Sequence, residues 1–394
     1  MAGLAAARHL QTAGRTVLVI DSNDEPGGRV RSHRIDGLTL DLGFQLLNPA
    51  YPEAQHMLDL RALQLRPFTP GVRVRTSSGT HTVVDPFRAP NTIATTVASI
   101  PGTRWQQARF GAYAASLAVG TGARLQHRTD GTAEGALQGF GDITSQILRP
   151  FLSGVLFDDS LTTSRRLVDV FMRSFIRGTP AVPALGMGAI ATQLSSDVAL
   201  SLNETARLVT STSVTTDQRI ISARAVLVAT DPLTAARLIP ELRVPVMRSG
   251  TTWWHRAPLP VEAINNGMPI LTVDPERRGP LVNTVVMNAA APEYAPDGFS
   301  LIASTAIGTA DHSPADISRH LDYLYEMDTS RWEVVAVQQI AQTVPAFPVG
   351  TPFRKPTQVS SGVFVAGDHR DTPSIQGALV SGRRAAAAID HWLA

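Results

Sequence analysis

A chain of 394 residues, 43% hydrophobic and 17% charged, is long enough to bury a large core and to divide into two domains. It has no cysteine, which excludes a disulfide framework, a thiolate nucleophile and any cysteinyl link to a cofactor. The net charge is +2 and the arginines are scattered, with Lys355 the sole lysine, so the basic, aromatic-interleaved surface expected of a nucleic-acid binder is missing.

The chain opens on a helical pattern over residues 3–13, with Leu4, Ala7 and Leu10 on one face and Gly14 as a stop. Arg8 and His9 interrupt this apolar start, which does not fit a secretory leader. Residues 16–20 (TVLVI) then read as a buried parallel strand delivering Asp21. Helical runs are predicted over 104–119 and 167–177, in a stretch broken by Pro86, Pro90, Pro101, Pro150 and Pro180. Short alternating segments return from about 197 and end in a strand at 225–229, followed by the helix opener Thr230-Asp231-Pro232. Beyond it lie strand-like pieces at 281–287 and 301–305, a helix at 314–326, a buried strand at 362–366 and a long helix at 374–392. No run of about 18 apolar residues occurs, so no membrane-spanning helix is expected. The expected location is the cytoplasm, with peripheral membrane contact left open.

This order implies an α/β fold. One domain is assembled from the discontinuous segments 1–75, 186–240 and 353–394, and a second, α+β domain comes from the insertions 76–185 and 241–352.

Three motifs carry chemistry. Gly3 opens the first helix, where a small residue allows close approach of an anion to free N–H groups, and Asp21 follows 18 residues later, near the spacing of a ribose-binding acid. A small residue that only permits packing is the plain alternative. Pro26-Gly27-Gly28-Arg29 combines a backbone free to turn with a guanidinium suited to phosphate, against the alternative of a solvated turn. Gly367-Asp368 ends a buried strand, and Ser374 caps a helix that continues Ile375-Gln376-Gly377-Ala378. The N-terminus of that helix could face the negatively charged edge of a ring.

In order, these segments resemble the FAD-binding signatures of the superfamily that contains flavin amine oxidases, protoporphyrinogen oxidase and phytoene-type desaturases. The resemblance implies a Rossmann-like FAD domain and non-covalent FAD. It implies Asp21 at the adenosine ribose, Arg29 and Asp368 at the pyrophosphate and ribityl chain, and Gln376 to Ala378 at the isoalloxazine edge. Residues 38–51, with Gly43 and Phe44, together with 186–190 and 226–232, also resemble family segments near the cofactor. Ala206 stands where the family contacts adenine through its backbone. The family's opening strand and first two glycines do not precede Gly3, which leaves open that Met1 is an internal methionine and that this chain binds FAD less well. Amine oxidases also commonly place a lysine near flavin N5, and Lys355 does not match that position.

The implied activity is hydride transfer from a substrate C–H or C–N bond to flavin, with desaturation of an apolar isoprenoid- or porphyrin-like molecule as the first expectation. Oxygen or another acceptor would reoxidise the cofactor. An amine oxidase releasing peroxide, a nicotinamide-dependent dehydrogenase and a non-catalytic flavin-fold protein are the alternatives. No catalytic base is identified. Trp253, Trp254 and His255 are candidates for an apolar substrate wall, with core packing as the alternative, and Phe347 is a candidate aromatic near the flavin. His369-Arg370-Asp371 is read as phosphate or solvent contact, Ser153-Gly154 lacks a hydrolase setting, and the histidine spacing suggests no metal.

Overall fold

The computed structural model describes residues 1–85, 88 and 100–394; Pro86 and Pro90, expected as helix breakers, lie outside the described residues. The chain folds as a mixed α/β protein around one large sheet and several small ones. The first helix, Ala2–Thr12, buries Leu4, Ala5, Ala7 and Leu10 and gives way to Gly14 at φ +76°. It lies against the C-terminal helix Ile375–Leu393, and Gly382 makes that contact possible: a Cβ there would stand 2.2 Å from the Ala2 carbonyl oxygen. Only a residue without a side chain lets the two backbones approach so closely.

Two short parallel strand pairs flank the first helix. Leu18–Ile20 pairs with Ala199–Ser201, and Val226–Val228 pairs with Val363–Val365, which also takes the antiparallel strand Gln358–Ser360. The pairs do not hydrogen-bond to each other. Ala6 and Leu10 of the helix, Val17, Leu227 and Phe364 close into one small apolar cluster between them. An antiparallel sheet of Ala206–Val209, Ser213–Thr216 and Ile220–Ser222 lies in chain order between Ala199–Ser201 and Val226–Val228, within the second segment.

The insertions supply most of a seven-stranded sheet. Its order is Glu333–Pro345, Met247–Ala257, Ser300–Ile307, Leu281–Val286, Leu271–Val273, Gly71–Thr76 and Gly79–Val84. All pairings are antiparallel except that of Leu271–Val273 with Gly71–Thr76. Gly71–Thr76, grouped by sequence largely with the first segment, thus joins this sheet. Side chains alternate across it as the pleat requires. Trp254 points into the main core with Leu40, Leu47 and Tyr294, while Trp253 points to the opposite face among Ile302, Leu321 and Leu324. Complete burial of a side chain as large as Trp254 contributes roughly 3 kcal/mol. Helix Pro314–Tyr325, capped by Ser313, covers the Trp253 face. Arg149–Leu156, Arg104–Ala118 and Arg165–Arg177 form a helical layer over the other side, with Leu117, Leu152 and Phe171 in its core. Thr103 and Gln106 close a reciprocal capping box at the start of Arg104–Ala118. Among the described residues no helix is long and apolar enough to cross a membrane.

Candidate active site

A single cavity of about 2040 Å³ runs from the two parallel strand pairs to the inner face of the large sheet. At its polar end, strand Leu18–Ile20 delivers Asp21 into the wall. Asp21 Oδ1 accepts from the backbone N–H of Asn23 at 3.0 Å and from its side-chain amide at 2.7 Å, which fixes the carboxylate at the strand end. Ala206 lies in the same wall. Gly3 faces it too, and a Cβ there would touch the Ala229 Cβ at 3.2 Å, so the small residue serves close helix–strand packing as well.

Gly27 and Gly28 border the cavity with φ of +117° and +65°. At Gly27 a Cβ would stand 2.4 Å from the Val30 carbonyl oxygen, so both conformation and space demand glycine. The turn leads to Arg29, whose Nη2 donates to Asp368 Oδ1 at 2.7 Å and whose Nη1 donates to the Thr343 carbonyl at 2.5 Å. Both ends of this ion pair lie in the cavity wall. Gly367 donates its N–H to Ser381 Oγ at 3.1 Å, anchoring the Gly367–Asp368 loop on the C-terminal helix. Ser374 caps that helix by accepting from the Gly377 N–H at 3.1 Å, and Ser374, Ile375 and Ala378 face the cavity.

Gln376 and Gly377 stand apart from these. The Gln376 side chain accepts from the Glu53 N–H at 3.0 Å, outside the cavity wall. Gly377 packs against the preceding loop, where a Cβ would fall 1.9 Å from the Thr372 carbonyl oxygen. Helical geometry explains the split: residues 374, 375 and 378 share a face and the two between turn away.

Residues 38–51 are tied down by Asp41, which is wholly buried. It accepts from Ser32 Oγ at 2.5 Å, the Met187 N–H at 2.8 Å and the Tyr294 hydroxyl at 2.8 Å. Burial pushes its carboxyl up to about 6 in spite of these bonds. The network places Gly43 and Phe44 in the wall of the cavity, where the Gly43 N–H donates to Gln338 Oε1 at 2.6 Å.

The other half of the cavity is mostly apolar, bounded by Val72, Phe110, Phe151, Phe171 and Leu271. Trp253, Trp254 and Phe347 do not line it; the two tryptophans are core residues on opposite faces of the sheet, and Phe347 packs on Phe353. From strand Met247–Ala257 it is Gly250 and Thr252 that reach the wall. His255 is buried near Trp332, with burial pushing its imidazole down to about 4. Lys355 lies behind the loop from Gly367 to Ser374 and donates to the His369 carbonyl at 2.9 Å. His369 is buried away from the wall, and Arg370 turns to the Pro356 carbonyl. Asn283, in the centre of a fully buried strand, also lines the cavity. Sequence reading passed over it, although a lone asparagine in LVNTVV was the available signal.

The arrangement offers two helix N-termini and a guanidinium at one end, a carboxylate at the end of a strand, and an apolar space at the other. These donors and acceptors suit a long dinucleotide with a flat ring at the junction. Residues 1–390 match the family described as flavin containing amine oxidoreductase. A putrescine oxidase from Kocuria rosea is 43% identical over 63 residues, a stretch covering 16% of this chain and 13% of that protein. Cyclohexylamine oxidase from Brevibacterium oxydans has a similar structure, with a TM-score of 0.69 at 18% identity over 100% of this chain and 97% of its own. So does a structure assigned as a protoporphyrinogen oxidase from Exiguobacterium sp. 255-15, with a TM-score of 0.72 at 15% identity over 99% and 96%.

Proposed function

This chain belongs to the family of flavin-containing amine oxidoreductases, and from that premise we propose that it holds FAD without a covalent bond and oxidises a small, mainly apolar molecule. The observation that carries this is the continuity of one cavity from the Asp21–Arg29–Asp368 end to an apolar chamber on the sheet. On this reading residues 1–75, 186–240 and 353–394 make a Rossmann-like FAD domain, apart from the strand Gly71–Thr76 that joins the large sheet, and 76–185 and 241–352 make the substrate domain. Asp21 accepts from ribose hydroxyls, and the backbone around Ala206 borders the adenine. The N-terminus of the first helix and Arg29 neutralise phosphate charge. Gly43, Phe44 and the N-terminus of Ile375–Leu393 border the ring, the helix dipole favouring negative charge on its edge. When bound, the flavin supplies a hydride acceptor; the chain's own part is to orient the substrate and keep water from it.

An absorbance spectrum of the purified protein tests this, with FAD added if needed. Flavin bands that survive desalting are expected, and retention about tenfold weaker in Asp21→Ala, for the loss of charge-assisted hydrogen bonds. No flavin bound even with excess FAD overturns the reading.

The match to a putrescine oxidase favours a second version, oxidation at a C–N bond with oxygen as acceptor. Peroxide release on adding amines distinguishes it from desaturation of a C–C bond.

A further inference from the structure

Four polar side chains cross the large sheet in one row. Strand register aligns Gln338 with Thr252, Thr252 with Thr305, and Thr305 with Asn283. Paired residues in a sheet project from the same face, so the row points toward the helical layer. Three of its members are satisfied. Gln338 Oε1 accepts from the Gly43 N–H and from Trp254 Nε1 at 3.1 Å, and the Thr252 and Thr305 hydroxyls bond each other at 3.2 Å.

Asn283 is the exception. It is 5% exposed and borders the cavity, yet its Oδ1 is buried without a partner and its amide makes no hydrogen bond. The fold has made room for it nonetheless: on the covering helix Arg149–Leu156, Gly154 would place a Cβ 2.2 Å from Asn283 Nδ2. A buried amide with nothing to bond is costly, and natural interiors seldom keep one idle. Around it the wall is apolar. Among the described residues the only carboxylate in this half of the cavity is Asp85, which stands 3.8 Å from Arg88. An alkylammonium group would find no carboxylate beside Asn283.

Resting on the reading of this cavity as the substrate space of a flavin enzyme, we propose that Asn283 is the specificity-determining residue for a substrate that is apolar apart from one neutral hydroxyl or carbonyl, which its amide binds. Either oxygen function suits the amide, which can accept from a hydroxyl or donate to a carbonyl. The row of side chains sets the distance between that group and the Gly43 region where the ring is expected.

The test uses three matched probes on the FAD-loaded protein: 4-phenylbutan-1-ol, butylbenzene and 4-phenylbutylamine, with affinities measured by equilibrium dialysis. Wild type should bind the alcohol tightest. Asn283→Leu should weaken the alcohol about tenfold while leaving butylbenzene as tight or tighter, and should melt no lower than wild type. Asn283→Ala serves if the leucine variant does not fold, and Gly154→Ala should reproduce the loss by displacing the amide. Equal binding of alcohol and hydrocarbon by wild type, preference for the amine, or an unchanged preference in both Asn283 variants would overturn the proposal. Dialysis reads probe binding and not turnover, so failure to retain FAD counts against the flavin reading, and failure to discriminate the probes counts against this one.

Discussion

Gly377 shows how a single residue couples the 368–374 loop to the helix that follows it. Its N–H donates to Ser374 Oγ, and the Thr372 carbonyl oxygen lies where a Cβ would sit. Gly377→Ala should therefore push the 368–374 loop away and cost on the order of 2 kcal/mol or more, as overpacking does. A urea unfolding curve with an unchanged midpoint would contradict this. The same residue illustrates what was legible. Gly27, Asp21, Arg29, Asp368 and Ser374 were readable because each is tied to a local backbone event, a tight turn, a strand end or a helix cap. Asn283 was not, because its isolation depends on the register of four strands distant in sequence. The outward turn of Gln376 and Gly377 was missed for a smaller reason: a motif says which residues are near a ligand, and helical phase decides which of them face it.

The element pattern was legible where caps and periodicity are local. Asp231 and Ser374 stand at the helix starts expected from their motifs, and the runs near 104, 167, 314 and 374 are helices. The long strands Met247–Ala257 and Glu333–Pro345 were not, since both of their faces are covered unevenly and neither alternates cleanly in hydrophobicity. Among the small sheets, strands Leu18–Ile20 and Val226–Val228 each have one edge without a strand neighbour, and Leu18, Ile20, Val226 and Leu227 border the cavity there. The Asp21 N–H bonds Ser201 and the Val226 N–H bonds Gly362, so by alternation the Ile20 and Leu227 amides point the other way. Native-state hydrogen exchange should find Ile20 and Leu227 exchanging faster than Asp21 and Val226. Equal protection in all four would mean that the facing edges are closed.

At the scale of the molecule, two buried imidazoles make stability depend on acid. Burial pushes both His255 and His369 down to about 4. Their unfolded values lie near 6.5, so the unfolded chain binds protons first. The stability they leave intact above pH 6.5 is lost as pH falls toward 4, on the order of 3 kcal/mol for each. Asp41 works the other way: its carboxyl, pushed up to about 6, favours the folded state below pH 4 and loses that contribution as pH rises through 6. Two groups against one leave a net fall on acidification. The urea midpoint should therefore drop between pH 7 and pH 5, and His255→Phe should flatten that slope; an unchanged slope would show that His255 is protonated without cost.

The contact of the first and last helices across Gly382 has a further consequence for how the protein is made. Residues 2–12 are synthesised more than 360 residues before their packing partner, 375–393. The wall of the cavity is likewise incomplete until Asp368 and Ser374 have been synthesised. Until that partner has been made, the helix Ala2–Thr12 lacks its support. Contacts this distant in sequence slow folding and expose apolar surface meanwhile. Loading of a cofactor belongs after Asp368 and Ser374 have been made, and productive expression should respond more to chaperone supply than to cofactor supply during translation.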